Sequence, residues 1–454
     1  MDIVRKVLRM LGMVILSGVA ALAVSCEKDE NFGIKEEEGV YHPYIEQREA
    51  YVETRRVLIF YECGFNSLYS YIKKNMEKDL EACSTIPEGT RKDDVILVFS
   101  KLGTGHHDVP SYLRRVYIDR NGEYASDTLK TYPSSTIASS PTTMRDVLSY
   151  IKAAFPAKSY GMVFSSHGSG WLPVGYYYSP SAFERQYGSS GGRKMSGNLA
   201  TMDVPVGNMK TDDPYAGMVR SLGEDAMSTG DVGMTVPEFV GAIPFHLDYL
   251  FFDMCFSGGM EIVYALRNKA DYLGVSPAEV LADGIFDYTT LTDYLFKPGG
   301  ADLHGLFEYS FKRYDDRRGA QERDGERSAT VTLVRTAGLD NLASVVKDLV
   351  DTYSTALSRA PVNRIQGYFR MNRHYFYDLE DTFAKCGASE ADLARLNQAL
   401  NGCIVYKNAT PSFLCEYDIN TYSGFSIYLP CAGTSLLNSY FKNEEWNKAT
   451  GFVK

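Results

Sequence analysis

The sequence predicts an α/β sandwich built on a largely parallel sheet, and three observations predict it. Short apolar runs recur along the chain without clean alternation, and most stop at Gly, Ser or Pro. Amphipathic helical patterns lie between the runs. Strands buried on both faces of a parallel sheet read as continuous apolar runs, whereas half-exposed strands alternate. Strands alternating with helices are the mark of βαβ units.

In chain order the predicted strands are VLIFYECG (57–64), DVILVFSKLG (94–103), YGMVFSSHG (160–168), LDYLFFDMC (247–255), DYLGVSP (271–277) and SATVTLVRT (328–336). A late strand is read at YSGFSIYLP (422–430). A helix is predicted over 67–83, where Leu68, Ile72, Met76 and Leu80 recur at four-residue spacing. A second, 142–155, starts at Thr and sets Met144, Val147, Leu148 and Ile151 on one face. MEIVYALRNKA (260–270) reads as a third. After Val334 the pattern is mostly helical, with clear amphipathic periods at 336–357 and 389–402. Residues 174–235 break the rhythm. They are rich in Gly, Ser, Asp and Met and read as a long insert of functional type. Its acids Asp212, Asp213, Glu224, Asp225 and Asp231 do not fit a calcium loop and read as a solvated surface, so no metal is expected.

Composition narrows the classes. The chain has 454 residues, is 44% hydrophobic and 23% charged, and carries a net charge of −10. That suits a large buried core. No basic stripe is present, so nucleic acid is not an expected partner. No Walker or dinucleotide glycine motif occurs, and no cofactor is expected. The start is different in kind. Arg5, Lys6 and Arg9 precede the apolar MVILSGVAALAV, which ends in small residues before Cys26. This is the pattern of an export signal. The uninterrupted apolar stretch is shorter than the roughly 20 residues of a spanning helix. AVSC resembles a bacterial lipoprotein cleavage site, which implies lipidation of Cys26. CEKDE resembles the signal that sends some lipoproteins to the outside of the outer membrane. The expected location is therefore a lipid anchor in the outer membrane, facing the cell surface, with 26–50 as lipidated terminus and tether after a signal at 1–25. Cys386, Cys403, Cys415 and Cys431 cluster late in the chain and are candidates for bridges.

Two residues stand where an open α/β sheet gathers its chemistry, at the carboxyl ends of strands. His167 closes one apolar run in FSSHGSGW, and Cys255 closes another in FFDMCFSGG. Taken singly, the cysteine reads as a small core residue and the histidine as a hydrogen-bonded turn residue. Together they occupy matching positions on two strands of one sheet. A thiol nucleophile needs an imidazole to take its proton and later protonate the leaving amine. The tetrahedral oxyanion needs preorganised donors, for which the N–H groups of Gly168 and Cys255 are the candidates.

HGSGW (167–171) and FDMCFSGGMEIVYAL (252–266) resemble the two signature blocks of the clostripain-like cysteine peptidases, relatives of caspases, gingipains and legumains. Further likeness lies in VLIFYECGFNSL, ADYLGVSPAE, ATVTLVRTAGLDNL, YDLEDTFAK and YSGFSIYLP. The resemblance covers most of residues 56–430. It implies a caspase-like α/β/α sandwich, catalytic over 51–300 with the insert at 174–235, and a more helical C-terminal region at 301–454. It implies His167 as general acid–base, Cys255 as nucleophile, and cleavage after Arg or Lys of protein and peptide substrates. Asp253, two places before the cysteine, then lies in the pocket that selects the basic side chain; alternatively it is a strand-end acid bonding nearby backbone. A carboxylate in a partly desolvated pocket forms strong charge-assisted bonds with guanidinium or ammonium. Some members of the family cut themselves after the histidine block, which makes Arg193 and Lys194 candidate self-cleavage sites. The alternative from another class is a surface lipoprotein that binds peptides or a partner without cutting.

Overall fold

The computed structural model describes residues 50–84, 86, 94–103, 109–173, 175–177, 180–187, 222–227, 230–317, 324–370 and 374–454. Cys26, Arg193 and Lys194 lie outside these residues, as does the expected signal segment. All described residues belong to one compact unit, Pro43–Lys454.

The strands are β1 (Val52–Gly64), β2 (Asp94–Leu102), β3 (Ser111–Ile118), β4 (Tyr124–Tyr132), β5 (Ala157–Ser165), β6 (Leu222–Met227), β7 (Gly230–Met234), β8 (Leu247–Asp253), β9 (Ala270–Val275), β10 (Thr330–Arg335), β11 (Tyr377–Asp378), β12 (Ile404–Ala409), β13 (Ser412–Phe413), β14 (Tyr417–Asp418) and β15 (Ser426–Ile427). Among the described residues, nine of them form one sheet in the order β12-β10-β9-β8-β5-β1-β2-β3-β4. The centre, β2-β1-β5-β8-β9, is parallel. β3 and β4 extend one edge antiparallel, and β10 and β12 extend the other.

Side chains alternate between the faces of a strand. In β1, Val57, Ile59, Tyr61 and Cys63 enter one core, while Leu58 and Phe60 enter the other. Both faces are covered, which is why the run is apolar throughout. Helices Pro141–Ala154, Val236–Ala242, Met260–Ala265 and Leu339–Leu357 pack on the first face. Tyr69–Asp79, Leu291–Leu295 and Leu303–Asp315 pack on the second. The helix expected at 142–155 runs over 141–154, starting one residue earlier than the expected Thr. Ser140 Oγ accepts the Thr143 N–H at 3.2 Å, and Pro141 occupies the first turn.

The structure departs from the sequence expectations in four places. β3, β4 and β12 were not predicted. They lie toward the sheet's edges and carry Arg114, Arg115, Lys130 and Lys407, so no apolar run marks them. The single helix expected over 67–83 is an α-helix only at Tyr69–Lys73 and continues as a π-helix, Lys74–Asp79. A strict four-residue spacing drifts about 40° per step around an α-helix, and the wider π turn counters that drift and keeps Ile72, Met76 and Leu80 buried together. Of YSGFSIYLP only Ser426–Ile427 is strand, paired with β11. Finally, Glu224 and Asp225 are not solvated. Both are buried, because β6 folds back against the sheet and Asp225 pairs with Lys101. Cys386, Cys403, Cys415 and Cys431 form no disulfide. No helix among the described residues is long and apolar enough to cross a membrane.

Candidate active site

The carboxyl ends of β1, β5 and β8 build the site. Their register sets Glu62, Ser165 and Asp253 side by side across three adjacent strands. His167 lies two residues beyond the end of β5 and Cys255 two beyond β8. A cavity of about 250 Å³ opens there, and His167, Cys255, Asp253 and Ser165 all line it. The structure therefore brings the three predicted side chains into one cleft.

The backbone turns sharply after the nucleophile candidate. Phe256 has φ 56°, a conformation uncommon for a bulky residue. Its ring is buried and stacks on Phe376 at 4.3 Å. Phe256 N–H donates to Ala278 O and Gly258 N–H to Ser276 O, so the segment after β9 holds the turn. A Cβ at Gly258 would stand 2.5 Å from the backbone nitrogen of Pro277, which leaves room for glycine alone. Cys255 Sγ accepts the Val280 N–H at 3.2 Å and approaches Val280 O at 3.6 Å. Burial pushes the thiol up to about 12, with the Glu279 carboxylate adding to the effect and the Val280 N–H and Arg370 opposing it.

His167 is 8% exposed. Its Nε2 is 2.8 Å from Ser67 Oγ. Burial pushes the imidazole down to about 4. Ser67 is held by the turn around Asn66, whose Nδ2 donates to Cys63 O and Glu224 O and whose Oδ1 accepts the Leu68 N–H. Thiol and imidazole are thus engaged with Val280 and Ser67, not hydrogen-bonded to each other. Their loops touch all the same. A Cβ at Gly168 would meet Met254 Cγ at 2.4 Å and Cys255 O at 2.7 Å. Gly168 bridges to Leu222 through the bond from Gly223 N–H to His167 O, which does not consume the Gly168 N–H.

Asp253 is placed at the cavity and is bonded to backbone as well. Its carboxylate accepts Ile285 N–H at 2.5 Å and Tyr288 O–H at 3.3 Å. Burial pushes it up to about 6, against those bonds and the Arg313 charge. Gly284, at φ 81°, is required beside it, since a Cβ there would lie 2.2 Å from Asp253 Oδ2.

Several residues at the cleft escaped the sequence reading. Ser67 sits in the Asn-x-Leu turn with nothing local to mark its role. Arg370 comes from the C-terminal half and bridges Glu279 and Glu416, at 3.1 Å and 2.9 Å. It ties the Val280 segment to the β13–β14 hairpin, whose Phe413 and Leu414 line the cavity. Leu414 and Cys415 at that hairpin's turn have φ 47° and 56°. Glu62 did leave a signal, as the only charged residue in VLIFYECG.

The sequence profile of the clostripain family matches residues 60–183 and 206–439, well over half of the chain. The chain belongs to the clostripain family of cysteine peptidases. Three solved structures resemble this clostripain-family member. An inactive zymogen C11 protease from Parabacteroides distasonis is 24% identical, with 88% of this chain and 98% of that one covered and a TM-score of 0.66. A secreted C11 cysteine protease from Bacteroides thetaiotaomicron in complex with an irreversible peptide inhibitor is 20% identical, covering 88% and 100%, with a TM-score of 0.66. A further structure of a secreted C11 cysteine protease from the same organism is 23% identical, covering 88% and 99%, at 0.65. These likenesses bear out the expected caspase-like sandwich. No curated protein sequence matches the chain.

Proposed function

We propose that this peptidase cuts peptide bonds after Arg or Lys, with Cys255 as nucleophile and His167 as general acid–base. The observation that carries the reading is one cavity lined by a strand-end thiol, a strand-end imidazole and a buried carboxylate. In the reaction the Cys255 proton passes to His167 and Sγ bonds to the carbonyl carbon. The N–H groups of Gly168 and Cys255 receive the oxyanion. His167 then protonates the amine as the C–N bond breaks, and water hydrolyses the thioester. Ser67 occupies Nε2, which leaves Nδ1 as the nitrogen for the thiol. Asp253 pairs with the basic side chain before the cut bond.

The resting site is not poised. With the thiol pushed up and the imidazole pushed down, both are neutral near pH 7, and Val280 holds the sulfur. This supports a reading in which the chain is activated by self-cleavage near Arg193 or Lys194. The lipoprotein-like terminus supports anchoring through Cys26 to the outer membrane; recovery in the membrane fraction, lost on Cys26→Ser, checks it.

The test uses fluorogenic peptides ending in Arg, Lys, Leu or Asp, under reducing conditions. The parent should cut the first two, and Cys255→Ala none. Asp253→Asn should lose about 100-fold on basic peptides, as expected when a site loses its charged partner. A basic preference unchanged in Asp253→Asn sinks the specificity reading. Purified Cys255→Ala that still splits at Arg193 or Lys194 sinks self-cleavage.

A further inference from the structure

A second acid lies beside the proposed selector and nothing so far uses it. Glu62 is fully buried near the end of β1, and neither carboxyl oxygen has a hydrogen-bond partner within 3.5 Å, the Ser165 hydroxyl being the one donor near enough to act on it. Buried polar groups are almost always partnered, and an orphan carboxyl costs stability that an apolar residue would not. Leu58 and Phe60, on the same face of the strand, are apolar. Glu62 is therefore a locally unfavourable choice whose acceptors await a donor.

The register says where that donor would sit. Glu62, Ser165 and Asp253 are paired partners on consecutive parallel strands, so their side chains leave the same face. Strand spacing puts the outer two Cα atoms about 10 Å apart. Ser165, between them, lines the cavity. A cation resting over Ser165 has Asp253 in the cavity wall on one side and Glu62, just behind the lining, on the other. Asp253 alone is poorly supplied to hold it, because its oxygens already accept Ile285 N–H and Tyr288 O–H. A guanidinium brings five N–H donors and an ammonium three. Glu62 has the unused acceptors.

We propose that Glu62 is a second selectivity carboxyl, which joins Asp253 in binding the basic side chain over Ser165. This rests on the Arg/Lys reading of the same site. In the empty pocket, burial and the Asp253 charge push the Glu62 carboxyl well above the usual carboxylate range, and the Ser165 hydroxyl opposes them. Tyr288 faces both acids, and Arg313 and Asp283 act on Asp253. An entering cation offsets the Asp253 charge and favours the Glu62 carboxylate, which takes its N–H groups.

The experiment compares the parent with Glu62→Gln, Glu62→Met and Asp253→Asn in the full chain. Peptides end in Arg, Lys or citrulline, the uncharged isostere of Arg, and benzamidine serves as a small cationic inhibitor. Both Glu62 variants should raise KM for Arg and Lys peptides and Ki for benzamidine about tenfold, with kcat and citrulline turnover unchanged. Met fills the site with an apolar chain, and citrulline turnover reports an intact fold in each variant. Basic peptides and benzamidine within twofold of the parent, while Asp253→Asn loses its preference, overturn the role of Glu62 alone. Equal losses on citrulline and Arg make Glu62 structural and overturn it too. A preference intact in Asp253→Asn overturns the underlying reading and this inference with it.

Discussion

Two pairs of buried charged residues stand near the carboxyl end of the parallel strands and are treated in opposite ways. Lys101 and Asp225 are both fully buried. Asp225 accepts Ser139 N–H at 2.7 Å and Ala138 N–H at 3.0 Å, and Lys101 Nζ lies 3.4 Å from its Oδ2. Lys101 also donates to Thr136 O at 2.5 Å and sits 4.4 Å from the Phe65 ring centroid. Every acceptor and the cation are matched within the chain. Glu62 and Asp253 are two acids with no lysine or arginine hydrogen-bonded to either, and only the Ser165 hydroxyl acts on Glu62 as a donor, with no hydrogen bond of normal length. A completed network describes structure, since nothing further can bind to it. An incomplete one at a cavity describes a place for something that comes and goes.

The difference breaks most visibly at Asp225. Removing one member of a buried pair leaves the other charge uncompensated, at about 3–5 kcal/mol. Asp225→Ala should lower the unfolding free energy by that amount and the denaturation midpoint with it, and proteolysis of the β6–β7 hairpin should quicken. Glu62→Gln should leave the midpoint unchanged or raise it, since it removes an orphan acid. If the two variants destabilise equally, partnering does not separate the pairs.

Ser67 gives the next effect, in rate rather than stability. With Nδ1 as base, Nε2–H donates to Ser67 Oγ, and the same bond stabilises the imidazolium once the thiol proton arrives. Ser67→Ala should lower kcat about tenfold with little change in KM, in keeping with the scale of acid–base contributions. The imidazolium then holds its proton less well, so the acid limb of the kcat/KM profile, which reports freeing of the base, should move to lower pH. Ser67→Thr should restore both. A variant with lower thermal stability but an unmoved limb would show a purely structural hydroxyl.

The sequence exposed the parts of this enzyme that repeat a simple physical rule. The central parallel strands are apolar because both faces are buried, and His167 and Cys255 stood out because they end two such strands. The edge strands β3, β4 and β12 escaped, since exposed edges carry charge and lack the run. Ser67 escaped because its value lies in its distance to a residue 100 positions away. Arg370 and the Phe413–Leu414 turn reach the cleft from the C-terminal half, and local periodicity carries no information on such closure. Asp225 was misread as a surface acid because its partner, Lys101, is distant in sequence. Glu62 was visible as a charge in an apolar strand, but its meaning needed the register that sets it beside Asp253.

Glu261 falls between the two extremes and yields the smallest effect. It is buried in the helix after the nucleophile, with Oε1 accepting Tyr428 N–H at 3.0 Å and Oε2 unpartnered. Burial pushes it up to about 7, and Glu444, beside it, is pushed up to about 8 by burial and by the Glu261 charge. The sign follows from proton binding. Both groups have folded values above their ordinary 4.5, so between 4.5 and about 8 the folded state holds more protons than the unfolded one. Their contribution is complete below pH 4.5 and is lost as pH rises through 7 to 8. The parent's Tm should therefore fall across pH 5 to 8 more steeply than that of Glu261→Gln, whose carbonyl oxygen can still accept the Tyr428 N–H. A difference of roughly 2–5 °C at the upper end is expected. Parallel Tm–pH curves would mean that one hydrogen bond is enough to complete a buried acid here, and would move Glu261 to the side of Asp225.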